Sequence, residues 1–122
     1  MDARTVATGF ALGRALIGAA LVATPSKASE GWIGPEADLP TTQVVARALG
    51  IRDLAIAVGT LSAVRGDADP TGWLVAGIAS DAVDLGATLA AGDALPPTGR
   101  IGVPVIAAGA VVTGLALLRA LR

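Results

Sequence analysis

The sequence predicts an all-α fold, a bundle of four transmembrane helices, and three observations carry that prediction. Apolar residues make up 53% of the 122-residue chain and charged residues only 16%, where a water-soluble domain carries about 25% charged. Mean hydropathy is +0.69, although so small a domain has a large surface-to-volume ratio and needs polar residues to cover it in water. The apolar residues also fall into four long stretches, with three segments rich in Pro, Gly and charge between them. Lipid is the expected solvent, and residues 1–122 are expected to form a single membrane domain.

The first stretch runs from Thr5 to Thr24, contains Arg14 and stops before Pro25. It has no basic run ahead of it, an arginine in its core and no convincing cleavage site after it, so it is expected to be a retained helix and not a signal peptide. The second runs from about Thr42 to Val64 and carries Arg47, Arg52 and Asp53. The third, about Thr71 to Ala91, carries Asp81 and Asp84, and the fourth, Ile101 to Leu118, has no charge at all. At about 1.5 Å per residue each is long enough to cross about 30 Å of hydrocarbon. Pro104 falls in the first turn of the fourth helix, where proline is tolerated.

Between the first and second helices, Pro25 to Thr41 contains Gly, Pro and three acids, and is expected to be an exposed loop. Trp32 within it and Trp73 at the start of the third helix are placed at the lipid–water boundary. Close helix packing is expected from small residues: the pair Gly9 and Gly13, the ladder Ala55, Gly59, Ala63, and the ladder Ala82, Gly86, Ala90. Four helices put both termini on one side. That side carries Arg4, Arg65, Arg119 and Arg122 against Lys27 and Arg100 opposite, so the positive-inside rule places both ends in the cytoplasm. Eight arginines to one lysine, with abundant Ala and Gly, resembles the codon bias of a GC-rich bacterial genome. The expected location is a bacterial inner membrane.

Absent residues narrow the chemistry. Without Cys there is no disulfide, thiolate nucleophile or cysteine metal site. Without His the usual base near neutral pH and the commonest haem and transition-metal ligand are gone. No cofactor or metal is expected, and no catalytic residue is assigned. A net charge of -1 leaves no basic footprint for nucleic acid. The expected partners are the bilayer and further copies of the chain or a larger membrane complex.

The charges inside the helices form a pattern. Arg14, Asp53 and Asp81 fall at the midpoints of their stretches, Arg52 adjoins Asp53, and Asp84 lies about 4.5 Å beyond Asp81 along the helix. Arg47 lies about 9 Å from the midplane by the same rise. Three arginines and three aspartates from three helices thus gather near one depth, and their charges sum to zero. A charge there costs about 2.5 to 3.5 kcal/mol, so these groups are expected to face inward and pair. Gly77, Asp81, Asp84 and Thr88 share one face of the third helix, and Ala46, Gly50, Asp53 and Ala57 share one face of the second, with Arg47 at its border. Arg52 points to nearly the opposite side, toward a different neighbour or another subunit, or snorkels to the interface. The intramembrane polar cluster predicted as the site is Arg14, Arg47, Arg52, Asp53, Asp81 and Asp84.

The run Arg47-Ala48-Leu49-Gly50-Ile51-Arg52-Asp53-Leu54, the later Asp81-Ala82-Val83-Asp84, and Gly13-Arg14 with Pro25 resemble a family of small bacterial four-helix membrane proteins of unknown function, broadly DoxX-like. The resemblance covers most of the chain. It implies a four-helix membrane fold with weight on Arg14, Arg47, Gly50, Arg52, Asp53, Asp81 and Asp84, and it implies no activity. Asp81-Ala82-Val83-Asp84 also begins like the metal-binding signature of CDP-alcohol phosphotransferases. It departs at once: Leu85 separates Asp84 from Gly86, no arginine follows, and Asp93 is the only later acid. Two carboxylates rarely suffice for such a metal site.

Two readings of function follow, ahead of a third, an enzyme acting on lipid. In the first, Asp81 and Asp84 bind or conduct a proton or small ion in an oligomer, with Arg47 or Arg14 as counter-ions. In the second, the chain is a non-catalytic accessory or scaffold subunit whose charges fix packing or dock a partner.

Overall fold

The computed structural model describes all 122 residues, and it is all-helical. Five α-helices follow in order: α1 (Ala3–Ala23), α2 (Pro25–Ile33), α3 (Pro40–Arg65), α4 (Thr71–Ala91) and α5 (Val103–Ala120). Four of these match the four apolar stretches to within about two residues at each end. Asp2 caps α1 by accepting the Thr5 N–H at 2.8 Å. Asp69 accepts the Thr71 N–H at 2.9 Å and so starts α4. A turn of π-helix, Thr98–Gly102, leads into α5, and Pro104 lies in its first turn as expected.

The segment Pro25–Thr41 corrects the expectation of a loop. Pro25 occupies the first position of α2, where its missing N–H is no loss and its fixed φ suits the helix. Ser29 Oγ donates to the Pro25 carbonyl at 2.6 Å. Gly34, at φ 90°, ends the helix, and a 3₁₀ turn follows over Pro35–Asp38. Both prolines mark helix beginnings here, so a segment bounded by them was not a loop.

Packing divides the bundle into two antiparallel pairs, α1 on α3 and α4 on α5. In the first pair the backbones nearly touch. A Cβ built on Gly18 would lie 2.6 Å from the Gly50 carbonyl, and one on Gly50 2.7 Å from that of Gly18. Arg4 Nη1 donates to the Val64 carbonyl at 2.6 Å near the other end of the pair. In the second pair Gly114 makes room for Ile78, a built Cβ lying 2.7 Å from it. Between the pairs, the Trp73 ring packs against Gly59, in the space a Cβ would fill. Helix α2 bridges to the start of α5: Thr98 Oγ1 donates to the Gly31 carbonyl at 2.6 Å, and Gly99 packs on the Trp32 backbone.

Two of the three expected small-residue motifs do not serve packing. Nothing approaches the position of a Cβ at Gly9, Gly13 or Gly86 within 4 Å, and Ala82 and Ala90 are exposed. The ladder on α3 does pack, through Gly59 and Ala63, while Ala55 stays outside.

The distribution of size across the bundle inverts that of a water-soluble one. Buried positions are largely Ala, Gly and Thr, and no large side chain is fully buried. Leu16, Val105 and Ile106 expose two-thirds or more of their area. Small residues inside allow close backbone approach, and large aliphatics outside suit a hydrocarbon surround. Three helical segments are long and apolar enough to cross a membrane: Ala3–Ala23, Thr71–Ala94 and Thr98–Ala120. Helix α3 is longer, at 26 residues, but every run of eighteen residues within it holds three charged side chains.

Gly18→Ala and Gly50→Ala are expected to force α1 from α3 and lower stability by about 1 to 3 kcal/mol, read as a melting temperature in detergent. Gly9→Ala and Gly86→Ala, with open space around them, should melt at or above the wild-type temperature. The two capping aspartates give a pH signature. Backbone and side-chain hydrogen bonds to Thr5 hold Asp2 below the ordinary aspartate range, and those to Thr71 do the same for Asp69. Because the folded-state value is the lower one, their contribution is full above the ordinary aspartate range and is lost as pH falls through the folded value. The protection of the Thr5 and Thr71 amides, measured against intrinsic exchange at the same pH, should therefore fall on acidification, and should be low at every pH in Asp2→Ala and Asp69→Ala.

Candidate intramembrane charge site

Arg14, Asp53 and Asp81 lie at or beside the midpoints of α1, α3 and α4, so the antiparallel bundle brings them to one level. Arg14 grips Asp81 with both ends of its guanidinium, Nη1 to Oδ1 at 3.0 Å and Nη2 to Oδ2 at 2.5 Å. Its Nη1 also reaches Asp53 Oδ1 at 3.5 Å. Arg52 makes the matching fork on Asp84, Nη1 to Oδ1 at 3.3 Å and Nη2 to Oδ2 at 2.9 Å, and donates to Asp53 Oδ1 at 3.2 Å. The result is a continuous chain, Asp81–Arg14–Asp53–Arg52–Asp84, across three helices. Parallel two-bond forks of this kind are the strongest and most directional ion pairs arginine makes.

Local features hold each member in place. The face of Ala46, Gly50, Asp53 and Ala57 on α3 is buried throughout, as its spacing implied. On α4, Gly77, Asp81 and Thr88 are buried and Asp84 is half-buried on the same stripe. Gly77 leaves the guanidinium of Arg14 its space, since a Cβ there would sit 3.4 Å from Nη2. Phe10, one turn before Arg14, presents its ring 5.5 Å from the guanidinium carbon, a cation–π contact. Thr88 Oγ1 donates to the Asp84 carbonyl at 2.6 Å and accepts from Trp32 Nε1 at 3.1 Å, which ties α2 to the stripe.

The structure brings together five of the six predicted residues. Arg47 is the exception: it is exposed, and its Nε donates to the Val22 carbonyl near the end of α1 at 3.1 Å. It sits about 9 Å along α3 from Asp53, close enough to the helix end to find a free carbonyl there. Without it the site holds two guanidiniums and three carboxylates, so the expected neutral sum becomes an excess of one negative charge. Arg52 also differs from expectation. It turns back along α3 and meets Asp84 of α4 in the same chain, although its Nε is buried with no acceptor.

Burial grades across the site. The side chains of Arg14, Asp53 and Asp81 are 10%, 9% and 10% exposed, against 30% for Arg52 and 19% for Asp84. Asp81 and Asp84 are each committed to one arginine, while Asp53 shares a single oxygen between two at longer range. Asp53 is therefore the one carboxylate shared between both arginines and the one without a two-bond fork. Sequence reasoning missed Phe10, signalled only by its spacing of four from Arg14, and the Trp32–Thr88 bond, which has no local signal. The chain matches no family model, no curated protein and no solved structure.

Asp81→Asn leaves Arg14 buried with only the long contact to Asp53. The expected loss is about 3 to 5 kcal/mol, seen as a large drop in melting temperature in detergent. Arg47→Gln, at an exposed side chain outside the network, should change stability by no more than about 0.5 kcal/mol.

Proposed function

We propose that this chain is a four-span integral membrane protein that takes up one proton or small monovalent cation at its central charge network and, as an oligomer, conducts it. The single observation that carries the reading is the count of charges at mid-helix: three carboxylates face two guanidiniums, and Asp53 is shared between both. An unbalanced charge in a medium of low dielectric is unfavourable by several kcal/mol. One bound proton or monovalent cation cancels it. The groups that set the field at Asp53 are Arg14 from α1, Arg52 on its own helix, and Asp81 and Asp84 from α4.

The reading takes α3 as the fourth span. Its length is about 39 Å at 1.5 Å per residue, and the charges that lower its hydropathy are partnered within the bundle. Arg52 and Asp53 lie in the network, and Arg47 caps a carbonyl of α1. The orientation that goes with it, both termini in the cytoplasm of a bacterial inner membrane, is supported by the basic residues Arg4, Arg65, Arg119 and Arg122. The DoxX-like resemblance belongs to the same reading: of its seven residues, Arg14, Arg52, Asp53, Asp81 and Asp84 lie in the network, Gly50 packs on Gly18, and Arg47 stands outside it.

The test is flux through purified protein in liposomes under imposed gradients of H⁺, Na⁺ and K⁺. Wild type is expected to pass one of these ions, and Asp53→Asn to abolish the flux while melting at or above the wild-type temperature, since it leaves two arginines balanced by two aspartates. Wild-type vesicles as tight as empty ones, or undiminished flux in Asp53→Asn, would refute the proposal.

A further inference from the structure

The more exposed end of the network lies on the outside of the bundle. Arg52 and Asp84 bond to each other across the groove between α3 and α4, at mid-helix, and their side chains remain 30% and 19% exposed. Hydrocarbon supplies no hydrogen bonds to such a pair. The residues one turn away from it along both helices are small. Ala48 and Ala55, one turn to either side of Arg52, are exposed, as is Ala87 one turn after Asp84, and Ser80 one turn before it is half-buried. Side chains this small admit another helix surface at close range.

The charges also say what fits there. The pair lies across the groove, positive on the α3 lip and negative on the α4 lip, at one depth. A two-fold axis along the membrane normal, between facing grooves, sets the positive lip of each copy opposite the negative lip of the other. A two-fold axis in the membrane plane sets positive against positive. Two-fold contacts use the same patch on both copies, so this patch is complementary to itself in one orientation alone. We propose that two copies of this chain pack side by side, pointing the same way, through the α3–α4 groove, with Arg52 of each facing Asp84 of the other. The inference rests on α3 as a fourth span and names the oligomer that the proposed function calls for.

The chain has no cysteine, so single-cysteine variants give an unambiguous test in membranes. Helices α3 and α4 run antiparallel, which puts Ala48 and Ala87 on the same side of the ion pair, about 6 Å and about 4.5 Å from it along their helices. Ala55 lies on the other side. Differently tagged Ala48→Cys and Ala87→Cys chains, produced together and oxidised, should shift from 11.9 kDa to a disulfide-linked product of twice that mass. Ala48→Cys with Ala55→Cys should give no mixed product, and Ala82→Cys, on the outward face of α4, should stay monomeric. A mixed product from Ala48→Cys and Ala55→Cys identifies an antiparallel pair and overturns the proposal. So does linking through Ala82→Cys alone, or none anywhere. Cross-linking reads assembly and not flux, so its failure alongside an Asp53-dependent ion flux removes the dimer and leaves the function standing.

Discussion

The fold depends on one contact, the fork of Arg14 on Asp81. The two helix pairs, α1 with α3 and α4 with α5, each hold together by close packing of small residues, but they share much less packing with each other. Arg14 on α1 reaches across to α4 and fastens one pair to the other, and Arg52 repeats the connection from α3. Burying these charges is unfavourable by itself, and the forked geometry with Asp81 and Asp84 is what offsets it. Apolar packing alone would leave the angle and register between the pairs poorly determined, because a surface of Ala and Gly fits its neighbour in many ways. Directional ion pairs at mid-helix choose one arrangement among them.

The architecture was legible because its signals are strong and local. Four apolar runs of near-constant length located α1, α3, α4 and α5, and the spacing of Asp53 with Gly50 and of Asp81 with Gly77 identified the faces that turn inward. What escaped were features that depend on where two chain segments meet. Helix α2 was hidden because Pro25 and Pro35 read as breakers when they are first-turn residues. Gly9–Gly13 carries the spacing of a packing motif yet faces outward, whereas the contact that matters joins single glycines, Gly18 and Gly50, far apart in sequence. Arg52 belongs to the predicted cluster, but the direction of its Cα–Cβ bond points it to a different neighbour. A side chain of that length curls around its helix, and its fork on Asp84 is set by reach more than by bearing.

The composition of the chain now has a structural account. Its buried positions use Ala, Gly and Thr because neighbouring backbones approach closely, and its large aliphatic residues are placed outside. The same arrangement explains why one arginine of six candidate charges is spared from the network. Near a helix end there are unpaired carbonyls for a guanidinium to meet, as Arg47 meets Val22. At mid-helix every carbonyl is already bonded, and a charge must find a side chain of the opposite sign.

The near-contact of Gly18 with Gly50 has a mechanical consequence. Two backbones in touch, held again at the far end by Arg4, cannot slide or tilt without breaking that contact, so α1 and α3 behave as one stiff plate. Helices α4 and α5, keyed by Gly114 and Ile78, make a second. Motion inside the bundle is then confined to the seam between the plates, with Trp73 on Gly59 as its bearing and the arginine forks as its latch. All three aspartates of the network lie on that seam, the one part of the bundle that close backbone packing does not lock.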